Sequence, residues 1–339
     1  MLRVQFTSED ITRIRVAAEP DPLWEITNSF QILGARGTPM VFAEWRRSVR
    51  PSLPAASRLL AELLPASGYS PDFLTPDLGG RFDLPSAVET VLGTAKTDLR
   101  KDLERLAVSR PRLRPVPSDV RALAAGDTAA LGRLRAALCG YHRHALAPFW
   151  PQIRARVDAD RAIRTRALLE GGIDGLLASF RPLLRWKPPV LEADYPVRRV
   201  LQLDGRGLLL QPSFFCTRRP VTLADPRMTP TLVYPIQHTL GWAAASRKGT
   251  PGTTAGGAEL AALIGRTRAA VLEDLTDGRT TGELAERLSI SAQDVSYHTA
   301  VLRRAGLLLS VRRSKNTLHT ITPAGRTLLT SPSGTSING

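Results

Sequence analysis

Near the C-terminal end of this 339-residue chain stands a run of residues whose side chains suit nucleic acid. Ser291, Gln293, Ser296, Tyr297, His298 and Arg303 lie within one short stretch, followed closely by Arg312, Arg313 and Lys315. Amide and hydroxyl side chains hydrogen-bond base edges, while guanidinium and ammonium groups neutralise phosphates. Just upstream, Thr280 and Thr281 open another candidate helix, where hydroxyls and backbone N–H groups suit a phosphate oxygen. These groups act together only if separate elements hold them at fixed angles.

The spacing predicts those elements. Leu260, Leu263, Ile264, Val271, Leu272 and Leu275 recur at helical intervals, so one helix is expected over 258–275, with a turn at Asp277 and Gly278. Thr280 and Glu283 have the S/T-x-x-E spacing of a capping box and start a helix ending at Leu288. A tight connection, 289–291, closes on Ser291, a good N-cap for a third helix over 292–305 that Gly306 stops. Residues 307–322 read as two β-rich stretches around a basic turn, and Pro323 begins a last helix. Helix, helix, short turn, helix and basic hairpin describe a winged helix-turn-helix. In that arrangement the third helix lies in the major groove, and the hairpin tip grips flanking phosphates.

The segment also resembles the ArsR/SmtB-type winged-helix repressors. Ser296, His298, Leu302, Ala305, Gly306, Leu307, Thr322, Gly325 and Leu328 stand at the positions of that pattern. Thr299 replaces its usual leucine, and His319 stands where tyrosine is common. The longer N-terminal part is similar to the large actinobacterial regulators of this group through residues 21–25, Tyr141, His142, 148–150 and 205–213. The resemblance implies a homodimeric repressor on a near-palindromic double-stranded operator, with one recognition helix per half-site. Metal-sensing relatives carry cysteines beside the recognition helix. The helix from Glu283 to Leu288 has none, which argues against thiolate metal sensing.

Charge agrees with a polyanionic partner. The chain has 46 basic against 31 acidic residues, a net charge of +15, and only five of the basic residues are lysine. Arginine pairs well with phosphate oxygens, although a GC-rich genome also favours it. The two cysteines exclude a disulfide scaffold and a four-cysteine zinc site. With no secretory h-region and no run of about 18 apolar residues, a cytoplasmic, nucleoid-associated protein is expected.

Along the chain, the fold class reads as mainly α with small β elements. A mostly helical α+β domain is expected over 1–245, with a late β-hairpin at 197–212. A Gly/Thr-rich linker follows over 246–257, then the winged helix-turn-helix over 258–330 and a disordered tail over 331–339. Other constellations carry less. His142 and His144 sit about 200° apart on a helix and cannot both face one ion, and Cys139 with His142 gives too few ligands for a metal. Gly205 and Gly207 lack the third glycine of a dinucleotide fingerprint. No G-x-S-x-G motif or convergent triad is present, so neither an enzyme nor a cofactor is expected. Trp24, Phe30, Trp150, Phe180, Trp186, Phe214 and Phe215 form plain core or line a cavity for a small-molecule effector. Two alternatives stand beside the regulator. One is a ligand-binding or enzymatic N-terminal module whose winged helix contacts protein or RNA, and the other is a non-specific chromosomal protein.

Overall fold

The computed structural model describes every residue except 36, 38, 67, 110–116, 218, 239–240, 244–254, 276–277, 289, 314–315 and 331–339. Most of the expected linker, the whole expected tail, Asp277 and Lys315 therefore lie outside the described residues. The chain divides into two units, Met1–Ala243 and Ala244–Gly339. It is mainly helical, with three small sheets.

In the first unit, helices pack around two four-stranded sheets. Asp21 starts the helix Pro22–Gly34 by accepting the N–H groups of Leu23 at 2.8 Å and Trp24 at 3.2 Å. Leu23, Ile26, Ile32 and Leu33 carry that helix into the core, beside Trp45, Leu60, Leu138 and Tyr141. Two helices follow, Leu84–Leu92 and Lys96–Ser109. Asp83 caps the first of them, and Gly93 ends it. Helix Thr128–Tyr141 passes through a π turn over His142–Leu146 into the long helix Trp150–Ala178.

The first sheet contains β1 (Leu2–Gln5), β3 (Leu184–Lys187), β4 (Val190–Ala193) and β5 (Arg199–Gln202). The second contains β2 (Arg15–Val16), β6 (Leu209–Ser213), β7 (Val221–Thr222) and β8 (Thr231–Pro235). The hairpin expected at 197–212 does not form. β5 runs parallel to β1, whereas β6 runs parallel to β2 and β8 in the other sheet. The Asp204–Gly207 turn hands the chain from one sheet to the other, and the buried Asp10 carboxylate fixes it by accepting Gly207 N–H at 2.9 Å. The partner of β5 and one of the two partners of β6 come from the first sixteen residues, a distance that local patterning cannot report.

The second unit has its own core of Leu260, Val271, Leu272, Leu275, Leu284, Val295, Leu302, Leu308 and Ile321. The helix expected over 258–275 is two helices, Ala255–Ile264 and Arg266–Asp274. Gly265 separates them at φ +88°, a backbone state that glycine reaches without a Cβ penalty. The first of these helices starts inside the expected linker. Helices Thr281–Leu288, Ala292–Arg304 and Pro323–Thr330 follow. β9 (Arg279–Thr280), β10 (Leu308–Arg313) and β11 (Asn316–Ile321) form an antiparallel wing in the order β10-β11-β9.

Candidate nucleic-acid interface

Helix Thr281–Leu288 starts with the expected capping box. Thr280 N–H donates to Glu283 Oε2 at 2.8 Å, and Glu283 N–H returns to Thr280 Oγ1 at 3.3 Å. The Thr280 N–H and the Thr280 hydroxyl, which donates to the same carboxylate at 2.9 Å, hold the Glu283 carboxyl below its ordinary pKa. Leu284 anchors the helix in the core. Arg279 and Arg287 both pair with Asp274, at 3.1 and 2.8 Å, tying this helix to Arg266–Asp274. Their charges brace the scaffold.

Helix Ala292–Arg304 is capped by Ser291, whose Oγ accepts Asp294 N–H at 3.0 Å. Val295, Thr299 and Leu302 are buried and set its angle. Thr299 satisfies its hydroxyl on the Val295 carbonyl at 2.8 Å, so it occupies a core position without an orphan polar group. Gln293, Ser296, Tyr297, Arg303 and Arg304 are exposed, and Tyr297 shows 59% of its surface. By helical spacing, Gln293, Tyr297 and Arg304 share the outermost line. Arg304 was not among the residues singled out from sequence, although its position seven residues beyond Tyr297 carries that signal. Ser296 lies at the flank and donates to the Ala292 carbonyl at 2.8 Å. His298 turns toward the core side. Its ring meets that of Tyr297 edge-on at 5.3 Å, and its Nδ1 is buried with no hydrogen-bond partner among the described residues.

The wing is tied to the helices by His319, which is buried on β11. Its Nε2 hydrogen-bonds Thr281 Oγ1 at 2.9 Å, and its Nδ1 hydrogen-bonds Ser310 Oγ at 2.8 Å. Burial, and then the charge of Arg303, lower its pKa. The hydroxyls of Thr280 and Thr281 are thus already engaged, with Glu283 and His319. Arg312 is exposed on β10, Arg313 pairs with Asn316 in the hairpin register, and Lys315 lies outside the described residues.

In the first unit, most of the aromatic residues considered as a cavity lining pack against other rings. Phe214 and Phe215 lie 5.2 Å apart, and Phe180 meets Tyr234 at 4.8 Å. A partly open pocket of about 190 Å³ is bordered by Asn28, Gln31, Ile32, Phe215, Cys216 and Thr217. Among the described residues, no group of three or more His, Cys, Asp or Glu is placed to hold a metal ion. His144 instead hydrogen-bonds the Gly140 carbonyl at 2.8 Å, and the His142 ring lies 5.2 Å from that of Trp150.

Residues 263–311 match a family model described as a helix-turn-helix domain. Neither a curated protein nor a solved structure matches the chain. Among the described residues, no helix is long and apolar enough to cross a membrane. The C-terminal unit is a helix-turn-helix DNA-binding domain with a small-sheet wing.

Proposed function

We propose that this chain is a homodimeric transcriptional regulator, a repressor of the ArsR type, that binds a specific near-palindromic DNA site. The observation that carries this reading is the outward line of Gln293, Tyr297 and Arg304 on a helix inside the matched helix-turn-helix region. A helix seated on Val295, Thr299 and Leu302 presents that line at a set angle, as reading a major groove requires. Arg312 on the wing supplies a backbone contact beside it. In this reading the chain binds DNA at the nucleoid, needs no cofactor and catalyses no reaction. An effector, where one acts, is a small molecule, and the pocket of about 190 Å³ bordered by Asn28 and Cys216 would take one below drug size.

The test is a gel shift with the DNA upstream of the protein's own reading frame and excess random competitor. Specific sites are typically bound 10³ to 10⁷ times more tightly than random DNA. A retained, footprintable complex is the expected result. Binding that random DNA removes in proportion to its mass would overturn the reading in favour of a non-specific chromosomal protein.

A further inference from the structure

The long helix of the N-terminal unit leaves its own core halfway along. Ile153, Val157 and Asp160 are buried, but no residue from Arg161 to Gly175 is. The chain reverses at Gly171 and Gly172, where φ +60° and ψ −152° at Gly172 define a region essentially restricted to glycine. The return segment, 173–178, packs closely against the outgoing helix. A Cβ at Gly175 would stand 2.5 Å from the Ala167 carbonyl oxygen. Arg164 pins the base, pairing with Asp160 at 2.7 Å and lying 4.2 Å over the Phe180 ring. The result is a braced helical arm.

One side of this arm is free to be covered. At about 100° per residue, Ala155, Asp158, Ala162, Thr165, Arg166 and Leu169 fall along one line, and all six are exposed. Leu169 shows 81% of its surface. A concavity of about 530 Å³ runs along the same side. Leu169, held out on a rigid helix beside this concavity, points to a contact surface.

Charge identifies the occupant, because the line complements itself. Reversed about a two-fold axis at Ala162, Asp158 of one copy faces Arg166 of the other, twice over, and Leu169 faces Ala155. The small residues near the axis let the two helices approach closely. Arg166 has no ion-pair partner among the described residues, and Asp158 has only Arg161, at 3.4 Å. A parallel alignment would instead set like charges opposite each other. We propose that two copies of this chain dimerise by antiparallel, two-fold packing of this arm, with Leu169 as the apolar anchor and Asp158–Arg166 pairs setting the register. The proposal rests on the homodimeric reading above and names its interface. Isologous contacts of this kind close a dimer and leave no free end. Exposed charge pairs add little affinity but discriminate strongly between alignments.

The experiment weighs the full-length protein by sedimentation equilibrium, with a gel shift run in parallel. The wild type is expected to be a dimer. Asp158→Arg and Arg166→Asp, each alone, should raise the dimer dissociation constant at least tenfold by setting like charges opposite one another. An equimolar mixture of the two variants should recover wild-type association, because each altered position then meets the opposite charge. Leu169→Glu should weaken the dimer with no such rescue. Variants that associate like the wild type, or a mixture no tighter than either variant alone, would overturn the arm interface while leaving a dimer through another surface. A monomeric wild type would overturn both the interface and the homodimer, and the gel shift judges DNA binding separately.

Discussion

Hydrogen bonds separate polar side chains with a structural task in the helix-turn-helix from those that face outward. Thr280, Thr281, Ser291 and His319 are engaged in caps and cross-links, whereas Gln293 and Tyr297 present themselves outward. Gln293→Ala should therefore leave folding intact and lose about 1–3 kcal/mol of discrimination at one base pair. Binding measured across single-base operator variants checks this, and an unchanged preference removes Gln293 from the readout. His319 gives a pH dependence of definite sign. Its folded pKa lies below the ordinary histidine value because burial, and secondarily Arg303, disfavour the charged ring. The unfolded chain therefore takes up the proton first as the solution is acidified. The stability conferred is fully present above about pH 6.5 and is lost as the pH falls through the lower folded value. Glutamine at this position hydrogen-bonds hydroxyls but cannot titrate. Thermal unfolding of His319→Gln should show a shallower fall between about pH 7 and pH 5 than the wild type. His142 and His238 are also lowered by burial, so the difference between the two proteins, and not either curve alone, isolates His319. Parallel curves would show that His319 binds no fewer protons folded than unfolded.

What was legible from sequence follows the range of the interactions. The capping box, the Ser291 cap, the Pro323 start and the antiparallel wing all rest on neighbours a few residues apart, and all are present. The expected hairpin at 197–212 failed because β5 and β6 pair with β1 and β2, nearly 200 residues away in sequence. The apolar period across 258–275 continued smoothly over Gly265, so only the positive φ revealed the break. In the helix-turn-helix, patterning located the helix Ala292–Arg304 but not which hydroxyls were already engaged, since His319 reaches Thr281 across 38 residues. The wing yields a test at this scale. In the proposed complex Arg312, exposed on β10, contacts a phosphate and no base, so Arg312→Ala should weaken binding to every sequence alike. The slope of log affinity against log salt should fall by roughly 0.9 for that one lost phosphate contact. A selective loss at one operator would assign Arg312 to base reading instead, and an unchanged slope would take it off the DNA.

For the whole molecule, the net charge of +15 favours encounter with any DNA, so specificity has to come from geometry. In the proposed dimer, two helix-turn-helix units meet two half-sites at once. The second contact then becomes effectively intramolecular and multiplies affinity without any new chemistry. That gain depends on the helical face of the DNA. Half-sites one turn apart, about 10–10.5 bp centre to centre, present the same face to a two-fold protein. Inserting five base pairs between the half-sites of the selected operator rotates one of them to the opposite side. Affinity should then drop toward that of a single half-site, and inserting ten should recover part of it as the face returns. Titrating the three DNAs by gel shift at one fixed salt concentration keeps the phosphate contribution constant, leaving phase as the variable. Equal affinity for all three would mean that the two units read DNA independently, and the operator would be two separate sites rather than one palindrome. A steady decline without recovery at ten base pairs would show that distance, not phase, limits the second contact.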